Sequence, residues 1–215
     1  MMKIYTFLIL FILLIGNVEA WNSFYHRSLA EKAYYSIDFE TQENLNLTLI
    51  LKGSTDPDLV FHDVVKHHYP PSYELAVKWL DRAKLSYKNL DYNNASYSFG
   101  VASHYISDSF VSPHYISKEP GNLHSEFENI DKKYRFKTKC YYKEYDLNQT
   151  LYSGSLNKED WASWLISKDG NIPKKELEQA LTALYPIAIE VFNSSCNNFE
   201  TEIVKRRFNL LNLFR

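Results

Sequence analysis

The stretch SHYISDSFVSPH, residues 103–114, sets His104 and Asp108 four residues apart, and His114 follows six later, just after Pro113. Downstream, LHSEFEN repeats the four-residue step with His124 and Glu128. On a helix, residues i and i+4 share a face, so each pair presents an imidazole nitrogen and a carboxylate oxygen to one point in space. That donor set suits zinc, and a carboxylate can bridge two ions. One such pair alone is an ordinary hydrogen bond on a helix surface. Two pairs within 25 residues, with a third histidine between them, point to a metal centre.

Residues spaced in this way need helices to hold them, and the chain reads as helices joined by loops. SFYHRSLAEKAYYSI (23–37) opens on a serine and carries apolar residues at helical spacing. A second helix is expected over 40–51, ending near Gly53. The segment 71–90 begins with Pro-Ser and keeps a 3.6-residue period through Leu75, Ala76, Trp79, Leu80 and Ala83. Further helices are expected over 93–110, 124–136, 161–166 and 174–192, the last opening on a Lys/Glu run (174–178) read as solvated. Trp79, Leu80 and the Tyr/Phe stripe at 96–110 are expected in the core, and His62 at the surface. No stretch alternates like a strand hairpin, so the expected fold class is all-α, a single multi-helix domain.

The bulk properties narrow the function. The 215 residues carry a formal charge of −2, which gives no global electrostatic reason to bind nucleic acid or an anionic membrane. Lys3, the apolar run IYTFLILFILLI (4–15), and Val18 and Ala20 at small-residue positions read as a signal peptide cleaved after Ala20; an uncleaved anchor is the other reading. The mature chain, 21–215, would then be one secreted domain beginning with Trp21. Two cysteines, Cys140 and Cys196, are too few for a cysteine-based zinc site but enough for one disulfide. Sequons at Asn46, Asn94, Asn148 and Asn193 fit an exported surface. The basic, apolar segment VKRRFNLLNLFR (204–215) reads as a helix closing the core, or as an interfacial one.

The pattern His104, Asp108, His114, His124, Glu128 resembles the metal-binding core of the zinc-dependent phospholipases C, His-x3-Asp-x5-His followed by His-x3-Glu. The nine residues between His114 and His124 make a slightly shorter loop than that family has. The resemblance implies further ligands. Trp21 would chelate zinc through its free α-amine and carbonyl oxygen, and His26 would join it from the first helix. GSTDPD (53–58) resembles the family's acidic loop, which makes Asp58 the matching acid with Asp56 in competition. HHYPP resembles the family's next ligand, carried onto His68 with His67 as the competing choice. Five of the seven histidines then fall into one site. Three zinc ions are implied: one on Trp21, His26 and Asp108; a second on His68, His104 and the bridging Asp108; a third on His114, His124 and Glu128.

The implied activity is hydrolysis of the phosphodiester of a phospholipid by a zinc-activated water, which Asp58 would orient or deprotonate. The products would be diacylglycerol, or its equivalent, and a phosphorylated head group. Phe61, Tyr69 and Tyr115 flank the ligands and either pack or line a head-group pocket. The expected partners are phospholipid and, transiently, the membrane surface, with the protein acting as a monomer. Nucleic acid is a partner only under a rival reading, the secreted single-strand zinc nucleases and 3′-nucleotidases, whose compact start the Trp21–His26 spacing suits. Glu128, where those nucleases usually have Asp, and the scarcity of cysteine oppose it. An exported zinc-binding protein without turnover is a third reading, against which a structural site would not need Asp58 or an N-terminal ligand.

Overall fold

The computed structural model describes residues 23–197 apart from 64, 118, 119 and 132. The signal peptide, its cleavage site, Trp21 and the basic segment 204–215 lie outside the described residues. In chain order the elements are α1 (Ser23–Ser36), α2 (Phe39–Asn44), α3 (Leu47–Gly53), α4 (Asp56–Leu59), α5 (Pro71–Lys88), α6 (Tyr92–Asp108), a 3-10 turn (Ser112–Tyr115), α7 (Gly121–Glu128), α8 (Leu147–Ser155), α9 (Lys158–Ser167) and α10 (Asn171–Val191). No strand occurs among the described residues, only an isolated bridge between Ile37 and Cys196, so the fold is all-α.

Helix α6 is the axis of the molecule, wrapped by α1, α3, α5 and α10. From Ala95 to Asp108 nearly every residue is buried, including Ser96, Ser98, Ser103 and Ser107. A buried hydroxyl is costly unless it is bonded. Ser96, Ser103 and Ser107 solve this locally, donating to the helix carbonyls of Tyr92, Gly100 and His104. Small side chains also let neighbouring helices close in. A Cβ on Gly100 would lie 2.2 Å from the Ile50 carbonyl oxygen, and one on Gly53 2.3 Å from that of Tyr97. Helices α3 and α6 therefore meet backbone to backbone. Apolar residues of α10, Leu177, Leu181, Leu184 and Ile187, fill the main core together with Tyr25, Leu29, Phe99 and Phe192. A smaller cluster of Phe127, Trp161 and Trp164 sits under α7.

The observed boundaries correct several expectations. The helix expected over 40–51 is two, because Asp38 and Asn46 each cap a new start by accepting the N–H of Thr41 and of Leu49. The helix expected over 124–136 stops at Glu128. Beyond it, Tyr25 donates to the Ile130 carbonyl, and the Glu178 carboxylate takes the N–H groups of Lys137 and Thr138, so this segment finds partners without helix. Helix α8 was not expected; its signal is Asp146, which caps Gln149 N–H ahead of a stretch poor in apolar residues. The Lys/Glu run at 174–178 is not uniformly solvated, since Glu176 and Leu177 are fully buried. Trp79 is only half-buried, with Phe61 stacked on it. Cys140 and Cys196 form a disulfide that ties the 129–146 segment to the end of α10.

The glycine contact carries a testable consequence. An alanine ordinarily stabilises a helix by about 1 kcal/mol over glycine, but here the new methyl meets backbone that cannot give way. Overpacking of this kind costs about 1–3 kcal/mol or more. Gly100→Ala is therefore expected to lower the unfolding free energy by about 2 kcal/mol or more, measured by chemical denaturation.

Candidate metal centre

Three segments converge on the C-terminal half of α6. Helix α1 brings His26, α4 brings Asp58, the strap before α5 brings His67, and α6 itself supplies His104 and Asp108 one turn apart. Asp108 is the hub. Its Oδ1 lies 3.4 Å from His26 Nε2, while its Oδ2 lies 2.6 Å from His67 Nδ1 and 3.0 Å from His104 Nε2. Asp58 Oδ1 closes the group at 3.4 Å from His104 Nε2 and 3.6 Å from His67 Nε2. A second cluster forms where the 3-10 turn faces α7: His124 Nε2 lies 2.8 Å and His114 Nε2 3.7 Å from Glu128 Oε1. The rings of His67 and His114 stand 5.8 Å apart, so the clusters adjoin. The potential ligand atoms fall into three sets, His26–His104–Asp108, Asp58–His67–His104 and His114–His124–Glu128, each within 4.8 Å.

The structure thus brings together His26, Asp58, His104, Asp108, His114, His124 and Glu128, and corrects the choice of His68. His68 is turned outward against the Tyr115 ring, and the buried partner of Asp108 is His67. Adjacent residues on a strap point to opposite sides, and the doublet HH carries no mark of which side faces in. Of the competing acids, Asp58 faces the histidines, whereas Asp56 turns to Lys52 and the Tyr97 hydroxyl, 2.7 Å away. Tyr69 and Tyr115 are structural: Tyr115 receives the Tyr69 N–H and donates to the Ser109 carbonyl, fixing the strap to the turn. Phe61 and His62 are exposed.

The outward nitrogens of three histidines fix how their inner nitrogens point. His104 Nδ1–H donates to the Ser54 carbonyl at 2.9 Å, and His114 Nδ1–H to the Asp108 carbonyl at 3.2 Å. His26 Nδ1–H donates to Ser107 Oγ at 3.1 Å, whose own proton goes to the His104 carbonyl. That leaves Nε2 of His26 and His114, with Asp108 Oδ1, buried and without a hydrogen-bond partner, and Nε2 of His104 facing only the Asp108 and Asp58 carboxylates. Buried polar atoms are normally satisfied. Unsatisfied lone-pair atoms converging from several elements, each ring held by a bond on its far nitrogen, fit a divalent cation. Behind the 3-10 turn the Ser112 N–H donates to Glu176 Oε2 at 2.9 Å, which anchors the turn carrying His114. No sequence signal marked Glu176, because its neighbours Lys174 and Lys175 suggest solvent.

The electrostatics show what stands in for a cation when none is bound. Burial pulls His26 and His114 down to about 3, so both rings are neutral. Burial pulls His104 the same way, but the Asp108 and Asp58 carboxylates outweigh it and push the group up to about 10. His67 is likewise raised by Asp108 against burial. Asp108 is held well below the usual carboxylate range by the surrounding imidazoles despite its burial. Burial lifts Glu128 to about 7, against the hydrogen bond from His124.

A proton on His104 therefore occupies the role a metal would take, and the rise at His67 works in the same direction. A raised folded-state pKa stabilises the metal-free protein below the unfolded pKa, and that stability is lost as pH rises through the folded value. For Glu128 this window closes near 7, and for His104 near 10. Loading the metal-free protein with zinc at pH 7 is expected to release at least one proton per chain, and zinc affinity is expected to rise with pH through about 7. Calorimetric titration in buffers of different ionisation enthalpy measures both.

Comparison with curated proteins gives no match. A family model described as zinc dependent phospholipase C matches residues 25–190, which spans helices α1 to α10 and every clustered group described above. The chain belongs to the zinc-dependent phospholipase C family.

Proposed function

We propose that this protein hydrolyses the phosphodiester bond of phospholipids, releasing diacylglycerol or its equivalent and a phosphorylated head group. The observation that carries the reading is the convergence of three donor sets on unsatisfied buried imidazole nitrogens within the span of the family match. Three zinc ions would be held here: one by His26 and Asp108 together with the α-amine and carbonyl of Trp21, one by Asp58, His67, His104 and Asp108, and one by His114, His124 and Glu128; the clustering of these His, Asp and Glu groups supports the assignment. When bound, zinc supplies Lewis acidity toward phosphoryl oxygens and lowers the pKa of a coordinated water.

The chain's own residues orient and hold charge around that chemistry. Asp108 faces two donor sets and keeps them at fixed separation. Asp58 is the most solvent-reached acid of the centre, and although burial favours its neutral form, the His104 hydrogen bond and charge lower its pKa. It is therefore ionised at neutral pH and able to accept the proton of an attacking water at its carboxylate. Export with removal of residues 1–20 completes the proposal, because only that cleavage gives Trp21 a free amine; the Cys140–Cys196 disulfide supports an oxidising destination. The protein would act as a monomer.

The test is phosphorus NMR of zinc-loaded protein beginning at Trp21, incubated with phospholipid micelles and single-stranded DNA together. Phosphomonoester head-group signals that a chelator abolishes are the expected result. Mononucleotide signals with intact lipid would assign the protein to nuclease chemistry, and silence from both would leave a zinc-binding protein without this turnover. Asp108→Asn is expected to lose more than one zinc per chain, read by elemental analysis; loss of none would overturn the shared-ligand assignment.

A further inference from the structure

Asp58 and His67, two groups of the centre, are linked through Leu59, the last residue of α4, and a loop of which residues 60–63, 65 and 66 are described. Its backbone is tied down. The Asp56 carbonyl accepts the N–H groups of Val60 and Phe61, and the Pro57 carbonyl that of Asp63. Asp63 Oδ1 then accepts the N–H groups of Val65 and Lys66, its Oδ2 accepts the Tyr105 hydroxyl at 3.1 Å, and its carbonyl faces His67 Nε2. His62 takes a left-handed conformation, φ 51°, which a non-glycine residue adopts only when its surroundings impose it. These bonds notwithstanding, Leu59, Val60, Phe61 and Val65 are turned to solvent, each between 41% and 68% exposed. Large apolar side chains gathered on a braced surface mark an interaction site.

The loop also lies where solvent reaches the centre. The side chains of Asp58 and His67 are 11% and 8% exposed, whereas those of His26, His104 and Asp108 are sealed. Whatever covers the loop covers this entrance. A folded protein there would close the site, whereas a lipid layer would supply its substrate. The exposed Lys66 adds a cation suited to lipid phosphate at the edge of the patch.

We propose that Leu59, Val60, Phe61, Val65 and Lys66 are the protein's lipid-surface contact, with the four apolar side chains entering the interfacial layer and Lys66 resting among the head groups, so that a lipid leaving the layer meets Asp58 and His67 first. The proposal rests on the phospholipase reading, and its test separates the two. Wild type, Val65→Asp, the milder Val65→Ser and a control, Ile166→Asp at an exposed apolar position on α9, are zinc-loaded and checked for fold by circular dichroism. Each is then sedimented with phosphatidylcholine vesicles, and head-group release is measured on the same samples. The expected result is a loss of vesicle affinity of about tenfold or more in Val65→Asp, a smaller loss in Val65→Ser and none in the control. Equal binding by Val65→Asp and wild type, or no binding by wild type, overturns the proposal. So does a change from dimer to monomer on Val65→Asp, which would assign the patch to self-association. The expected binding pattern without head-group release by wild type would uphold the lipid contact and overturn the phospholipase reading.

Discussion

The rest of the structure is arranged around the carboxylate of Asp108, which is wholly buried at the end of the central helix. An isolated charge at such depth would cost far more than a domain's net stability, so it must be compensated where it stands. His26, His67 and His104 surround it within 3.4 Å, each brought by a different element. The compensation works with protons or with a metal, but not with neither. This explains why α1, α6 and the strap before α5 must all be in place before any of them can hold a defined ligand atom, and why the centre lies in the interior instead of in a surface groove.

Burying so many polar groups in one helix requires that the helix satisfy them itself. The serines of α6 do so by bonding back to carbonyls a turn earlier, and its small residues admit α3 close enough for the Ser54 carbonyl to reach His104 Nδ1. The second cluster is supported differently. Its turn is held from behind by Glu176, whose burial pushes its pKa well above the usual carboxylate range, and its helix rests on Phe127, Trp161 and Trp164. One centre is thus built on a rigid backbone crossing and the other on an aromatic shelf.

What could be read from the sequence follows the range of the forces involved. His104–Asp108 and His124–Glu128 are set by helix periodicity alone, and both pairs stand where the spacing put them. The all-α class follows from the same periodicity. His67 could not be separated from His68, because the choice depends on the direction of a strap fixed by the bond from the Tyr69 N–H to the Tyr115 hydroxyl, 46 residues further along the chain. Asp58 and Asp56 share one short helix, and only the position of Lys52 and Tyr97 turns the latter away. Glu176 and the non-helical 129–136 segment are likewise products of contacts with residues distant in the chain. Local pattern gave the donors; long-range packing decided which of two neighbours became one.

The meeting of Gly53 and Gly100 has a meaning beyond packing. The residue after Gly53 offers the carbonyl that accepts the His104 Nδ1 proton, so the spacing of two helix backbones decides which nitrogen keeps its hydrogen when that ring gives one up, and which becomes available as an electron-pair donor. Helix spacing thereby acts as a tautomer selector. Any coordination by His104 would then be under the control of positions that carry no side chain at all, and a drift of the two helices by a fraction of an ångström would change the basicity of that ring without altering a single residue of the centre.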